Sequence, residues 1–231
     1  MAFPTTTGNV NSYAAASGQQ LEFYALHLDQ SVTFDAFLTS FNQNFSSNWN
    51  EETVYGRNDP IATFQGTTRK INVAWNIPAG TLNDAKANLT RCSALIQMVY
   101  PSYTTNIIKE SSQTDPALGL VVEQANLNNQ DNALTLSKSP LLRLKYANLI
   151  SNSALEGGSA KEGGLLGWIS SVSWTPVLDM GTFVEEKGKI FPKVIDLSVD
   201  FNVIHEHELG NKSGSREMIN KNASGKFPFN F

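Results

Sequence analysis

Four small groups of residues in this 231-residue chain carry types that could do chemistry. His205-Glu206-His207 sets two imidazoles two positions apart. In a strand these point the same way and could share a metal ion. The third ligand would have to be His27 or a carboxylate. The competing reading is that His205 and His207 continue the apolar face of a strand to the edge of a sheet. The acidic pairs Glu51-Glu52 and Glu185-Glu186 could work as a general acid and base, or be solvated turn residues. The stretch YGRNDP holds Tyr55, Arg57 and Asp59, with one charge of each sign in a compact turn. Arg57 and Asp59 either pair locally across a corner shaped by Asp59-Pro60, or meet a neighbouring subunit.

The other signatures of catalysis are missing from the sequence. It has no Walker loop, no GxSxG elbow, no HExxH and no paired cysteines. A single cysteine, Cys92, excludes an intrachain disulfide and leaves few ligands for structural zinc. GGLLG and EGGSAKEGG lack the strand-turn-helix setting of a phosphate cradle and read as hairpin loops. The expectation is a chain with no catalytic set and no cofactor.

Composition agrees with that expectation. The hydrophobic fraction, 41%, allows a real core, while the charged fraction is only 16%, low for a soluble domain. Net charge is −4 with a sequence pI near 5.4, and there is no basic cluster to grip a phosphate backbone. The first residues, MAFPTTTGNVNSYAAASGQQ, lack the basic start and apolar run of a signal peptide. No apolar run approaches the roughly 20 residues of a membrane span. Folding in a reducing cytoplasm, without membrane insertion, is expected.

The elements that must position these groups are mostly strands. Residues 1–20 are small and polar and read as a flexible arm. SVTFDAFLTSF reads as one strand, with Val32, Phe34, Ala36 and Leu38 alternating with Thr33, Asp35 and Thr39. In the stretch after YGRNDP, Ile71, Val73, Trp75 and Ile77 face one way until Pro78 ends the ladder. A helix follows in TLNDAKANLTRCSALIQMVYP. Its apolar stripe is Ala85, Leu89, Cys92, Ile96 and Val99, with Thr81 and Asp84 placed as a capping box. Residues 104–139 dissolve into polar residues, a long excursion with short strands of its own. LLRLKYANLI, GWISSVSWTPVL and KVIDLSVDFNVIHEH then read as strands. Trp168, Ser170, Val172 and Trp174 are expected on one core-facing side. Ile195, Leu197, Val199, Phe201 and Val203 form the strongest apolar row. The body is thus residues 21–210, followed by a tail, 211–231, whose three terminal phenylalanines suit docking on a neighbour. The sum is a mainly antiparallel β protein with one helix packed on it.

Several segments in order resemble the tail-tube initiators, or hub-to-tube adaptors, of contractile-tailed bacteriophages. They are WNEETVYGRNDPIATFQGTTRKINVAWNIPA, DAKANLTRCSALIQMVYP, SPLLRLKYANLI, GLLGWISSVSWTPVLDMG and KIFPKVIDLSVDFNVIHEHELG. The resemblance covers roughly residues 32–210. It implies a tail-tube-like fold, a β-sandwich or half-barrel of two packed antiparallel sheets with a flanking helix. It further implies a ring of six copies, with a long hairpin from each lining a common channel. Such a ring joins the baseplate hub proteins to the tail-tube protein and templates tube growth. Genome DNA passes through the lumen without specific binding. The setting implied is the virion baseplate, assembled in the host bacterial cytoplasm. No catalytic residue is carried over, and Tyr55, Arg57 and Asp59 become subunit-interface candidates. A main tube subunit or tube terminator is the near alternative. A baseplate glycan-binding or cell-wall-degrading module is the distant one.

Overall fold

A computed structural model describes residues 20–35, 37–105, 134–155, 157–185, 188–223 and 226–229. The expected N-terminal arm lies outside these residues except for Gln20, as does most of the 104–139 excursion. The ends of that excursion pair as a two-stranded hairpin, β5 (Ser102–Thr105) with β6 (Leu134–Lys138).

The body is one seven-stranded antiparallel sheet. Its strands are β1 (Leu21–Ala25), β2 (Gln30–Phe34), β3 (Phe37–Glu52), β4 (Ile61–Pro78), β7 (Leu142–Tyr146), β8 (Leu165–Pro176) and β11 (Val194–Val203). They lie in the order β2-β1-β7-β8-β11-β4-β3. A separate hairpin joins β9 (Thr182–Glu185) to β10 (Lys189–Pro192). The alternating apolar rows expected on β4 and β11 are in register, with Leu197 opposite Trp75 and Val199 opposite Val73. Both rows are buried.

The sheet curls strongly. Flat, its seven strands would hold the outermost two about 29 Å apart. The edge strands are β2 and β3, and only residues 35 and 36 separate them. Three peptide steps reach about 11 Å at most, so the edges must come together. Side chains from both ends of the sheet meet accordingly. Phe34 on β2 lies 5.4 Å from Trp75 on β4, and Phe23 on β1 lies 5.9 Å from it, centroid to centroid. This aromatic trio fills the centre of the core. Asp35 pins the crossing by accepting from Gln20 Nε2 at 2.6 Å and pairing with Arg91 at 3.8 Å. The single strand expected over SVTFDAFLTSF is therefore two strands on opposite edges. β1, which precedes them and was not anticipated, supplies Leu21, Phe23 and Ala25 to the core.

Helix α1 (Leu82–Gln97) starts on the capping box as expected. Thr81 Oγ1 accepts from the Asp84 amide at 3.2 Å, and Asp84 accepts from the Thr81 amide at 3.0 Å. Its buried stripe runs through Ala85, Asn88, Cys92 and Leu95, then Met98, so Ile96 faces out instead of in. The stripe is rotated because Asn88, a polar residue, is buried and satisfied: its amide donates to the Pro78 carbonyl at 3.2 Å. Burial also pushes the Cys92 thiol up to about 11.

Two further expectations change. EGGSAKEGG, read as a hairpin loop, contains a helical turn, α2 (Ala160–Gly163). On β8, Ser170 is an extra residue between Ser171, opposite Asp200, and Ile169, opposite Phe201. Such a bulge reverses which face the following residues take. Before it, Leu165 and Ile169 are buried, and Trp168 lies 45% exposed on the other side. After it, Val172 turns to the core, while Trp174 remains 38% exposed. The expected row of Trp168, Ser170, Val172 and Trp174 is thus split. Gly167 sits where β8 and β11 close tightly: an added Cβ would lie 2.0 Å from the Asn202 carbonyl oxygen.

Candidate functional site

β3 and β4 are 16 and 18 residues long, far beyond what the curled sheet covers. Their inner halves pack in the body. Their outer halves run on as a two-stranded arm in which every residue from 44 to 65 is exposed. Nine strand residues on β3, 44–52, make this projection about 30 Å long. YGRNDP forms its tip. There the Arg57 amide donates to the Val54 carbonyl at 3.2 Å, and Gly56 takes a φ of 83°, the left-handed region that glycine allows. Tyr55 is fully exposed, and Arg57 and Asp59 are exposed with it. Among the described residues no ion pair joins Arg57 to Asp59, so the local pairing weighed from sequence does not form.

The arm has two unlike faces. One continues the core row of β4: Phe45 lies opposite Arg69, Ser47 opposite Thr67, and Trp49 opposite Phe64. Trp49 and Phe64 pack edge to face at 5.3 Å, and the indole Nε1 of Trp49 donates to Ser47 Oγ at 3.3 Å. Phe45, Trp49 and Phe64 are all exposed despite this. The other face alternates with the first. It carries Asn42, Asn44, Ser46, Asn48 and Asn50 on β3, with Asn72, Lys70, Thr68 and Thr63 opposite. This row is polar and, apart from Lys70, uncharged until Glu52.

At the base of the arm the two faces meet the rest of the chain. Arg69 is 1% exposed. Its Nε and Nη2 both donate to Gln43 Oε1, at 3.0 and 2.6 Å. The rings of Phe45 and Phe227 lie 5.2 and 5.9 Å from its guanidinium carbon. The C-terminal segment, expected to dock on a neighbour, thus seats Phe227 on its own chain. Desolvation brings Arg69 down to about 10.

His205 and His207 lie just beyond β11, where they help line a small cavity with Arg69 and Ser151. His27 is not in that lining. Among the described residues no three of His, Cys, Asp and Glu converge as a metal site. Burial, then the Arg69 charge, then His207 hold the His205 pKa below its ordinary 6.5. Glu206, also in the lining, takes a fork from Arg143, at 2.9 and 2.5 Å.

No protein-family model matches this chain, and no curated protein matches it. The candidate site must therefore be weighed on its residues.

Glu51 and Glu52 do not form a converging couple. Both are exposed near the arm's tip and, as neighbours in a strand, take opposite faces. Glu185 pairs with Lys86 at 2.5 Å, which lowers its pKa and ties the β9–β10 hairpin to α1. Glu186 lies outside the described residues. Among the described residues, no helix is long and apolar enough to cross a membrane.

The sequence reading missed the arm's first strand. A signal for it was present: Phe45, Ser47 and Trp49 alternate with Asn44, Ser46, Asn48 and Asn50, a period of two. The second face being polar rather than apolar hid it, because strand patterns are sought through their buried row.

Proposed function

We propose that the chain is a structural subunit of a closed ring, six copies joining a baseplate hub to the tail tube of a contractile-tailed phage. The observation that carries this reading is the arm. Its residues 44–65 are all exposed, yet one face displays Phe45, Trp49 and Phe64. A monomer gains nothing from leaving three aromatic rings in water along a 30 Å projection. An exposed aromatic surface of this kind suits a partner. Burial against the same region of the next copy would cover it, and repeating a heterologous contact by rotation closes a ring. The opposite row of amides and hydroxyls would then face the lumen. Being nearly free of charge, it would let a polyanion pass without holding it. The curl of the sheet, its flanking helix and the hairpin arm fit the sandwich or half-barrel that the tail-tube resemblance implies. A main tube subunit or terminator has the same geometry, and copy number per particle separates them: one or two rings for an adaptor, many for tube.

The test is assembly. The full chain, mixed with purified hub and tail-tube subunits, should give six-fold rings with a central channel in negative-stain images. Persistent monomer under those conditions would overturn the reading. A glycan-binding module is the second reading, and the exposure of Trp49 and Trp168 favours it more than the sequence did. It predicts quenching of tryptophan fluorescence by cell-wall oligosaccharides, whereas a ring subunit shows none.

A further inference from the structure

Where the arm leaves the body, five segments distant in sequence, one of them Leu165 and Leu166 of β8, enclose a small cavity. Arg69 comes from β4, Ser151 from the turn after β7, His205 and His207 from beyond β11, and Phe227 from the C-terminal segment. The Arg69 guanidinium is a buried cation. It has one amide oxygen and two aromatic faces around it, but among the described residues no carboxylate pairs with it. The carboxylate in the lining, Glu206, already serves Arg143. A buried charge without a counter-charge is costly, and structures normally pair it.

Three more polar atoms of this lining are buried without a partner: Ser151 Oγ, His205 Nε2 and His207 Nε2. Ser151 is itself 4% exposed. A hydroxyl can donate, and so can each imidazole in its Nε2–H tautomer. A cation and three idle donors around one space call for an electron-rich guest. A divalent metal is disfavoured beside the buried guanidinium by charge repulsion. Size narrows the guest further. The enclosed space is about 10 Å³, room for about one water-sized particle. Phosphate, sulfate and organic carboxylates are too large. A water would satisfy donors but leave the guanidinium charge unanswered.

We propose that this cavity is a binding site for one small monovalent anion of chloride's size, held by Arg69 with Ser151, His205 and His207 as donors. The bound anion would neutralise Arg69 and tie the base of the arm to the end of β11 and the turn after β7. Because Phe227 both lines the cavity and stacks on Arg69, occupancy would also favour the seated position of residues 226–229. A ligand that binds only the folded state raises stability in proportion to the logarithm of its concentration once above its Kd.

The test compares melting of the full chain in potassium chloride and in potassium gluconate at equal ionic strength. The melting temperature should be higher in chloride and in bromide than in gluconate. Ser151→Ala should weaken the chloride response several-fold, and Arg69→Met should abolish it. If Arg69→Met does not fold, crystals soaked in bromide decide the matter, since one anomalous peak is expected between Arg69 and Ser151. Equal melting in chloride and gluconate, a response untouched by Ser151→Ala, or a water without anomalous signal in the cavity would each overturn the proposal.

Discussion

The inner and outer halves of the β3–β4 hairpin are made of the same two strands and obey the same alternation, yet end in opposite environments. In the inner half Ile71, Val73 and Trp75 are buried, with Trp75 packed on Phe23 of β1 and Phe34 of β2. In the outer half Phe45, Trp49 and Phe64 continue that row into solvent. At the boundary the row turns polar, with Arg69 opposite Phe45 and then Ser47 opposite Thr67, and its aromatic residues resume beyond without cover. Apolar alternation therefore marks a surface that wants covering, and does not say whether the cover belongs to the same molecule.

The contrast is open to direct attack. Trp75→Ala removes the ring packed against Phe23 and Phe34 and should cost about 3–5 kcal/mol of folding free energy, read from urea denaturation. An equal loss from Trp49→Ala would erase the distinction between the halves. A second prediction concerns the junction. Because the folded His205 pKa lies below 6.5, the folded chain binds that proton less readily than the unfolded one. Stability is then full above about pH 7 and falls as pH drops through 6.5 toward the folded value. The urea midpoint measured from pH 8 to 5.5 should show this fall, and His205→Gln should flatten it. Third, Trp49→Ala and Phe64→Ala should each change monomer stability by less than about 1 kcal/mol, the scale of a cross-strand pair. Each should nevertheless reduce ring yield sharply in negative-stain counts. Smallest in stability is Arg57→Ala at the tip, within about 0.5 kcal/mol. If its ring yield stays at the wild-type level, the tip is a plain corner and not a joint.

How far the sequence led depends on which signals were local. The Thr81–Asp84 cap and the rows of β4 and β11 were legible because each depends on neighbours in the chain. What misled was decided elsewhere in space. Nothing in Asp35-Ala36 announces that one strand ends and another begins across the sheet; closure of the curl imposes it. Asn88 displaced the expected helix stripe because the Pro78 carbonyl was there to receive it. The extra residue at Ser170 turned Trp168 away from the core. At the cavity, His205 and His207 were visible from the start, but Arg69 and Ser151 come from other strands and turns. Their meeting is a property of the fold alone.

β3 has one further consequence, for how the isolated chain should behave in a tube. Among the described residues β3 pairs only with β4, so its far side is a row of free amides and carbonyls sixteen residues long. Natural proteins blunt such strands with lysine, proline or inward charge. FLTSFNQNFSSNWNEE has none of these before Glu51, only the irregularities of its pairing near Thr39 and between Asn48 and Trp49. The free chain should be short-lived in concentrated solution, passing from monomer to disordered aggregate unless diluted. Light scattering that rises with concentration, and is suppressed by a lysine at Asn44 or Ser46, would be its signature.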